Sequence, residues 1–277
     1  MQNNNKPKLQ LTNGYYLRFD QVSRILQFAL KQMPCKSIPR SEFINALGMS
    51  LKQFENLSSI CVGLGVTKPR TFVLTHLGKA IAEQDVFFDN LATLWLMHYV
   101  ISSEPKWVVW NRVINRVISE NEEISTEITQ PYFEDLRELF SEQAMTKKLP
   151  KEVLSVLDAY SEQKFSQFHL LKKLSTGKYT RGEIEQIEPL PFFYCLLHYR
   201  EKVYPHSTAL VIQDIINAEN SPGKVLYLED YAVKNLLTIL HDLSLIRIET
   251  VGDLEQIRFN DDTLKESVLK AIYKVRE

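Results

Sequence analysis

The chain is short of cysteine, and the three it has, Cys35, Cys61 and Cys195, stand far apart with no CxxC spacing. That argues against a disulfide framework and against a cysteine-ligated metal. Cys61 and Cys195 fall at apolar helical positions and read as reduced core thiols. An excess of charge of one sign is also missing: 33 basic residues offset 34 acidic ones for a net charge of −1. No global field therefore draws in nucleic acid or an anionic membrane, and any such contact has to be local. Long apolar runs are absent, since nothing approaches the roughly 18 residues that cross a bilayer. The polar opening MQNNNKPKLQLTN lacks the apolar stretch of a signal peptide. A cytoplasmic protein with no membrane partner is expected.

Catalytic signatures are missing too. There is no G-x-x-x-x-G-K-S/T loop, no G-x-G-x-x-G, no G-x-S-x-G elbow, and the six histidines show no H-E-x-x-H spacing. His98, alone on an apolar helix, is expected to be a hydrogen-bonded core residue. Cys195 and His198 lie three apart on another apolar helix with no orienting acid, which is a poor nucleophilic pair. Eight acidic residues between Glu120 and Glu142 face the single Arg137. Such a run reads as a solvated surface, since a metal site needs oxygens converging from fixed positions. The expectation is a non-enzyme with no cofactor and no metal.

What is present is a punctuated pattern from Ser41 to Ala82. Ser41 as a cap, with Phe43, Ile44 and Leu47 at helical spacing, predicts a short helix ended by Gly48. Ser50 opens a second helix, in which Leu51, Phe54, Leu57, Ser58 and Cys61 recur until Gly63 and Gly65 stop it. Two helices joined by a short Gly-containing turn predict a helix-turn-helix. Leu64 and Val66, a loop at Thr67–Arg70, and the β-prone Phe72–Leu74 predict a hairpin behind it, and hence a winged helix. Its first helix would start at about Asp20 and run to about Gln32, burying Val22, Ile25, Leu26, Ala29 and Leu30. In the usual docking geometry the second helix enters a major groove and the wing reaches phosphates. Candidate DNA-binding residues are therefore Lys52, Gln53, Asn56 and Ser59 on the helix and Lys68 and Arg70 in the wing. Asn and Gln suit adenine edges, and Lys suits guanine or phosphate. The solvated face of any amphipathic helix would carry similar residues.

Behind the wing, Thr75 caps a helix to about Glu83, and a strongly apolar helix follows Asp89. A partner with Trp107, Val108, Trp110, Val113, Ile114, Val117 and Ile118 runs from Pro105 to about Ser119. Their wide apolar arcs predict burial on more than one side. Three segments here, Leu74-Thr75-His76-Leu77-Gly78-Lys79-Ala80, Asp89 through His98, and Trp110-Asn111, resemble a bacterial family of domains of unknown function. Members of that family tend to be encoded beside DNA phosphorothioation and phage-defence genes. The resemblance is specific over residues 72–111 and implies a role in DNA modification or defence, without catalytic residues to carry over. The family opens with a Phe-x-x-His-Glu-Thr-Phe-like segment where this chain has Gly14-Tyr15-Tyr16-Leu17-Arg18-Phe19. No role of that His and Glu transfers.

Pro131 is expected to start a helix to about Ala144, and Met145–Pro150 reads as a linker, placing a boundary between domains 1–146 and 147–277. From 147 to 182, eight basic residues outnumber three acidic ones. Lys172, Lys173, Lys178 and Arg181 are candidates for backbone contact, with Phe165, Phe168 and Tyr179 interleaved. The alternative is a solvated face over core aromatics. Helices at Pro191–Arg200 and Ser207–Asn217, a Ser221–Gly223 turn, a helix from Glu229 through Leu243, and a hairpin turning at Gly252–Asp253 predict a second winged helix. Asp261 or Asp262 would cap a closing helix to Arg276. Between 207 and 260 this lobe has four basic residues against eight acidic ones, including Asp253 and Glu255 in the wing. It is therefore expected to pack against protein.

The fold class expected is mainly α, with two winged-helix lobes joined by a helical layer. The function expected is a DNA-binding accessory protein of a modification or defence system. Its partners would be double-stranded DNA and other proteins of that system, with homo-oligomerisation left open. The alternative is a protein–protein scaffold of such a system that does not contact DNA.

Overall fold

A computed structural model describes residues 6–35, 37–252, 254–260 and 264–274 and divides the chain into two compact units, Met1–Glu185 and Gln186–Glu277. The division falls at 185/186, whereas the sequence reading sets a domain boundary at 146/147. Ala144–Lys148 forms a π-helical turn that runs straight into the helix Leu149–Ser161. Met145 and Leu149 bury their side chains there, which holds the segment inside the first unit.

The first unit opens with α1 (Phe19–Lys31), α2 (Arg40–Leu47) and α3 (Leu51–Gly63). Gly48 takes a left-handed conformation between α2 and α3, which a residue without Cβ does at little cost. Ser50 and Gln53 then satisfy each other's backbone donors in a capping box at the start of α3. Phe28, Phe43, Phe54 and Phe72 form the aromatic centre beneath these helices.

The hairpin expected over residues 64–74 is reduced to one isolated antiparallel bridge, Thr67↔Leu74. Leu64 caps the end of α3, and Lys68 N–H closes the loop onto the Val73 carbonyl at 2.7 Å. Arg70 and Phe72 hold positive φ angles of 69° and 56°, which extended pairing does not allow. Contact of the Phe72 ring with Phe54, centroid to centroid 5.0 Å, offsets that backbone cost. The loop is pressed from behind by α4 (His76–Gln84): a Cβ on Gly78 would meet the Val66 carbonyl oxygen at 1.8 Å, so only glycine fits.

α5 (Leu91–Ser102) is buried almost all round, as its apolar arc requires. α6 (Val108–Arg112) continues through a π-helical stretch, Val113–Val117, into α7 (Ile118–Glu120). The chain then makes a sheet that the sequence reading missed: β1 (Glu123–Ser125), β2 (Leu171–Ser175) and β3 (Lys178–Arg181), antiparallel in the order β1-β3-β2. Between β1 and β2 lie α8 (Thr126–Thr129), a 3-10 segment Gln130–Glu138 where a helix to Ala144 was expected, and α9 (Leu149–Ser161).

The second unit runs α10 (Pro189–Val203), β4 (Ala209–Val211), α11 (Ile212–Asn217), α12 (Pro222–Val225), α13 (Asp230–Asp242), β5 (Ile246–Val251), β6 (Leu254–Phe259) and α14 (Lys265–Lys274). Its sheet has the order β4-β6-β5. The helix expected from Ser207 begins instead as a strand, because Ala209–Val211 pairs with Gln256–Arg258. Asp253, Asp261, Asp262 and Arg276, which the sequence reading used, lie outside the described residues. The protein is thus mainly helical, with two small three-stranded antiparallel sheets.

Candidate nucleic-acid interface

Lys52 and Gln53 stand exposed on the first turn of α3, and Lys68 and Arg70 stand exposed in the bridged loop. Phe72 packs edge-on against Phe54, while Thr67 N–H donates to the Cys61 carbonyl at 3.3 Å nearer the other end of α3, so the loop lies along that helix. Among the described residues, no carboxylate pairs with Lys52, Lys68 or Arg70, whereas nearby Arg40 is held by Glu55 at 3.1 Å. The first turn of α3 contains no acidic residue, so its helix dipole and its unpaired lysine act together on an anion.

Two of the expected groove-reading residues are displaced. Asn56 is only 5% exposed, and its Oδ1 accepts from Asn13 Nδ2 at 2.7 Å. The cause is the segment that precedes α1: it lies across α3, with the Leu11 methyl carbons about 3 Å from where a Cβ on Gly63 would sit. Ser59 is half-buried. Lys52 remains available, whereas the Gln53 Oε1 is taken by the Ser50 amide at 2.9 Å, leaving its Nε2 to reach outward.

Around β2 and β3, Lys172, Lys173, Lys178 and Arg181 are all exposed, but they are not equivalent. Lys173 pairs with Glu162 at 2.9 Å, and Arg181 donates to the Ser119 carbonyl oxygen at 3.3 Å. Lys172 and Lys178 carry no ion pair among the described residues. The interleaved aromatics are not a stacking surface. Phe165 and Phe168 are fully buried among Trp95, His98 and Tyr160, and Tyr179 faces inward beside Ile124. His98 sits where expected, in the core, with Nδ1 2.6 Å from the Tyr160 hydroxyl.

The sequence reading missed what residues 9–17 do. Leu9, Leu11 and Leu17 are buried, and between them Asn13 and Gly14 both take positive φ in a turn closed by Tyr15 N–H to the Thr12 carbonyl at 3.0 Å. Asn-Gly between apolar residues is the signal that could have found it. Glu152 on α9 anchors the turn. Its Oε1 accepts from the Leu11 and Thr12 amides, both at 2.8 Å, and its Oε2 accepts from the Thr12 hydroxyl at 2.9 Å. Burial pushes the Glu152 carboxyl above its ordinary pKa, and these hydrogen bonds oppose that shift. Ser155, one turn further along α9, donates to the Tyr15 carbonyl at 2.7 Å.

The second unit is built differently. Glu229 and Asp230 open α13, and the lysine of its first turns, Lys234, is held by Glu255 of β6 at 3.3 Å. Tyr231 projects from the same turn, 73% exposed. On α10, Cys195 is fully buried, which pushes its thiol well above the ordinary pKa, and burial pushes His198 down to about 3. A thiol held protonated makes no nucleophile.

The elements together define a mainly helical protein with two small three-stranded antiparallel sheets. The chain belongs to the family described as Protein of unknown function (DUF4007), whose profile matches residues 61–273. Two solved structures are similar. One is the SspB crystal structure, with a TM-score of 0.73 at 13% identity over 94% of this chain and 86% of that one. The other is the magnesium ion-bound SspB crystal structure, with a TM-score of 0.72 at 12% identity over the same shares. At such identities the likeness extends to the fold alone. Comparison with curated proteins gives no match.

Proposed function

We propose that this protein is a non-catalytic DNA-binding component of a bacterial DNA-modification or phage-defence system, of the phosphorothioation kind, and that it holds duplex DNA at a winged-helix edge in its first unit. The observation that carries the reading is the set of exposed cations without a carboxylate partner on one helix and the loop packed along it, Lys52 on the first turn of α3 and Lys68 and Arg70 in the loop. That edge can dock on phosphates while Lys52 and Gln53 reach base edges. The element orders support winged-helix character in three places: α1–α2–α3 with its bridged loop, β1 through β3 with α8 and α9 between them, and β4 through β6 with α11 and α13 between them. The system assignment rests on the family resemblance of residues 72–111.

One of the similar structures holds magnesium. Among the described residues of this chain, no group of three or more His, Cys, Asp or Glu side chains is placed to hold a metal ion, and the proposal routes no step through one. The test is a titration of the full chain with duplex DNA at several salt concentrations. Phosphate contacts make affinity fall steeply as salt rises. Absence of binding at low salt would replace this reading with a protein–protein scaffold, which the exposed Tyr231 and the acidic start of α13 favour.

A further inference from the structure

We infer that Tyr15 and Tyr16 form a stacking ledge for unpaired nucleobases, flanked by lysines from the starts of α3 and α9, so that the protein takes single-stranded or locally opened DNA beside the duplex edge. The inference rests on the nucleic-acid reading above and adds a substrate class to it.

The two rings are 44% and 55% exposed, consecutive, and carried by a turn that is held from both sides. Glu152 and Ser155 fix its backbone from α9, and Asn13 fixes it to α3 through Asn56. Most of these bonds go to the backbone or to short side chains, and none uses a tyrosine hydroxyl. The geometry therefore immobilises the backbone and leaves each ring about half exposed. Large exposed aromatics on a rigid support are surfaces awaiting a flat, apolar partner.

The neighbours select the partner. Lys52 Nζ lies 5.9 Å from the centroid of the Tyr15 ring, and Lys151 Cβ would sit 3.4 Å from a Cβ on Gly14. Lys147, Lys148 and Lys151, exposed where the chain enters α9, carry no ion pair among the described residues. Burial is the main cause of the raised Tyr179 pKa, and Tyr16 lies near enough to the β2–β3 hairpin to add a lesser part. Aromatic faces interleaved with unpaired cations match a strand of unstacked bases joined by phosphates. A closed duplex offers them no base face, so the ligand has to be unpaired.

The full chain is titrated with a labelled oligo-dT of about 16 nucleotides and with a hairpin duplex. Tyr15→Ala and Tyr16→Ala should each weaken oligo-dT binding about tenfold and leave duplex binding unchanged. Tyr15→Phe and Tyr16→Phe should retain it, since stacking uses the ring. Lys52→Gln and Lys151→Gln should lower the salt slope for oligo-dT by about 0.7 each. Equal oligo-dT binding by native protein and both alanine variants, with unchanged thermal midpoints, overturns the ledge and leaves the duplex reading standing. Tyrosine-dependent oligo-dT binding without duplex binding supports the ledge and overturns the duplex edge. Binding of neither overturns both.

Discussion

The helix α3, followed by a loop with a single bridge, and the helix α13, followed by the β5–β6 hairpin, dispose of the charge at their starts in different ways. At α3 the cap is Ser50, the first turn has no acid, and Lys52 faces solvent without a carboxylate partner. At α13 the chain enters through Glu229 and Asp230, and Lys234 leans onto Glu255. Acids at a helix start stabilise the dipole and occupy the place an external anion would take. The amides at the start of α3 are capped by Ser50 and Gln53 and those of α13 carry no side-chain cap, so the difference between the two starts lies in side-chain charge: acids at α13, an unpaired lysine at α3. What an element can bind is decided by which of its charges remain uncompensated, and fold alone does not tell the two apart.

The largest effect expected comes from the support behind the open side. Glu152→Ala removes a buried acceptor from two backbone amides and one hydroxyl, leaving the Leu11 and Thr12 donors unpaired. At about 1–3 kcal/mol for each of these three stranded donors, a loss of at least about 3 kcal/mol in unfolding free energy is expected. Urea unfolding measures it. A loss below about 1 kcal/mol would mean that water replaces the carboxylate and that the turn is not held as described.

Next is the contrast itself. Lys68→Glu with Arg70→Glu should weaken duplex binding about a hundredfold for every sequence and lower the salt slope by about 2, whereas Lys224→Glu with Lys234→Glu should change neither measurably. Filter or anisotropy titrations at several salt concentrations distinguish the outcomes. Loss of binding with the second pair and survival with the first would reverse the roles assigned to the two helix starts.

How far the comparison was legible in sequence depends on the range of the interaction. The Ser50 cap, the Gly48 turn and the Phe43, Phe54 and Cys61 stripe are local, and they stand where the spacing places them. So does the acidic start of α13. The β1–β3 sheet joins residues near 124 to residues near 179, and short strands with mixed patterning leave no trace of such pairing. Thr176-Gly177 between Leu171 and Tyr179 was a turn signal, but the lysines around it drew attention to charge. Asn56 shows the same limit within the site. It is polar and on an outward-looking helical position, and only a segment more than 40 residues earlier, docking through Asn13 and Leu11, buries it.

A titration sharpens the comparison from the second unit's side. Burial holds His198 down at about 3, while the unfolded chain takes up a proton near 6.5. The unfolded state thus binds more protons in the window between those values, so stability is fully present above about 6.5 and is lost as pH falls toward 3. From pH 7 to 5.5 the loss should be about 1 kcal/mol. His198→Gln should flatten the slope in that interval, as read by thermal unfolding at several pH values, and an unchanged slope would mean that the imidazole reaches water in the folded chain.

The smallest effect expected is at Lys234, and its smallness is the point. The ion pair with Glu255 joins two side chains that are both more than half exposed, so solvent screens it and the ordering of two long side chains offsets most of the attraction. Lys234→Gln should therefore shift unfolding free energy by less than about 0.5 kcal/mol, and 0.5 M salt should remove even that difference. The pair matters for what it withholds: a lysine occupied by a carboxylate of its own sheet gains little by turning to phosphate, because the displaced Glu255 would then repel the same anion. Glu255→Gln, which frees Lys234 and removes that repulsion, should raise non-specific duplex affinity of the Lys68→Glu and Arg70→Glu double variant slightly, by about twofold, with a salt slope steeper by about 1. If instead Glu255→Gln leaves that variant's binding and salt slope unchanged, Lys234 is kept from DNA by Glu229 and Asp230 at the head of α13, and the charge of the helix start alone sets the difference between the two elements.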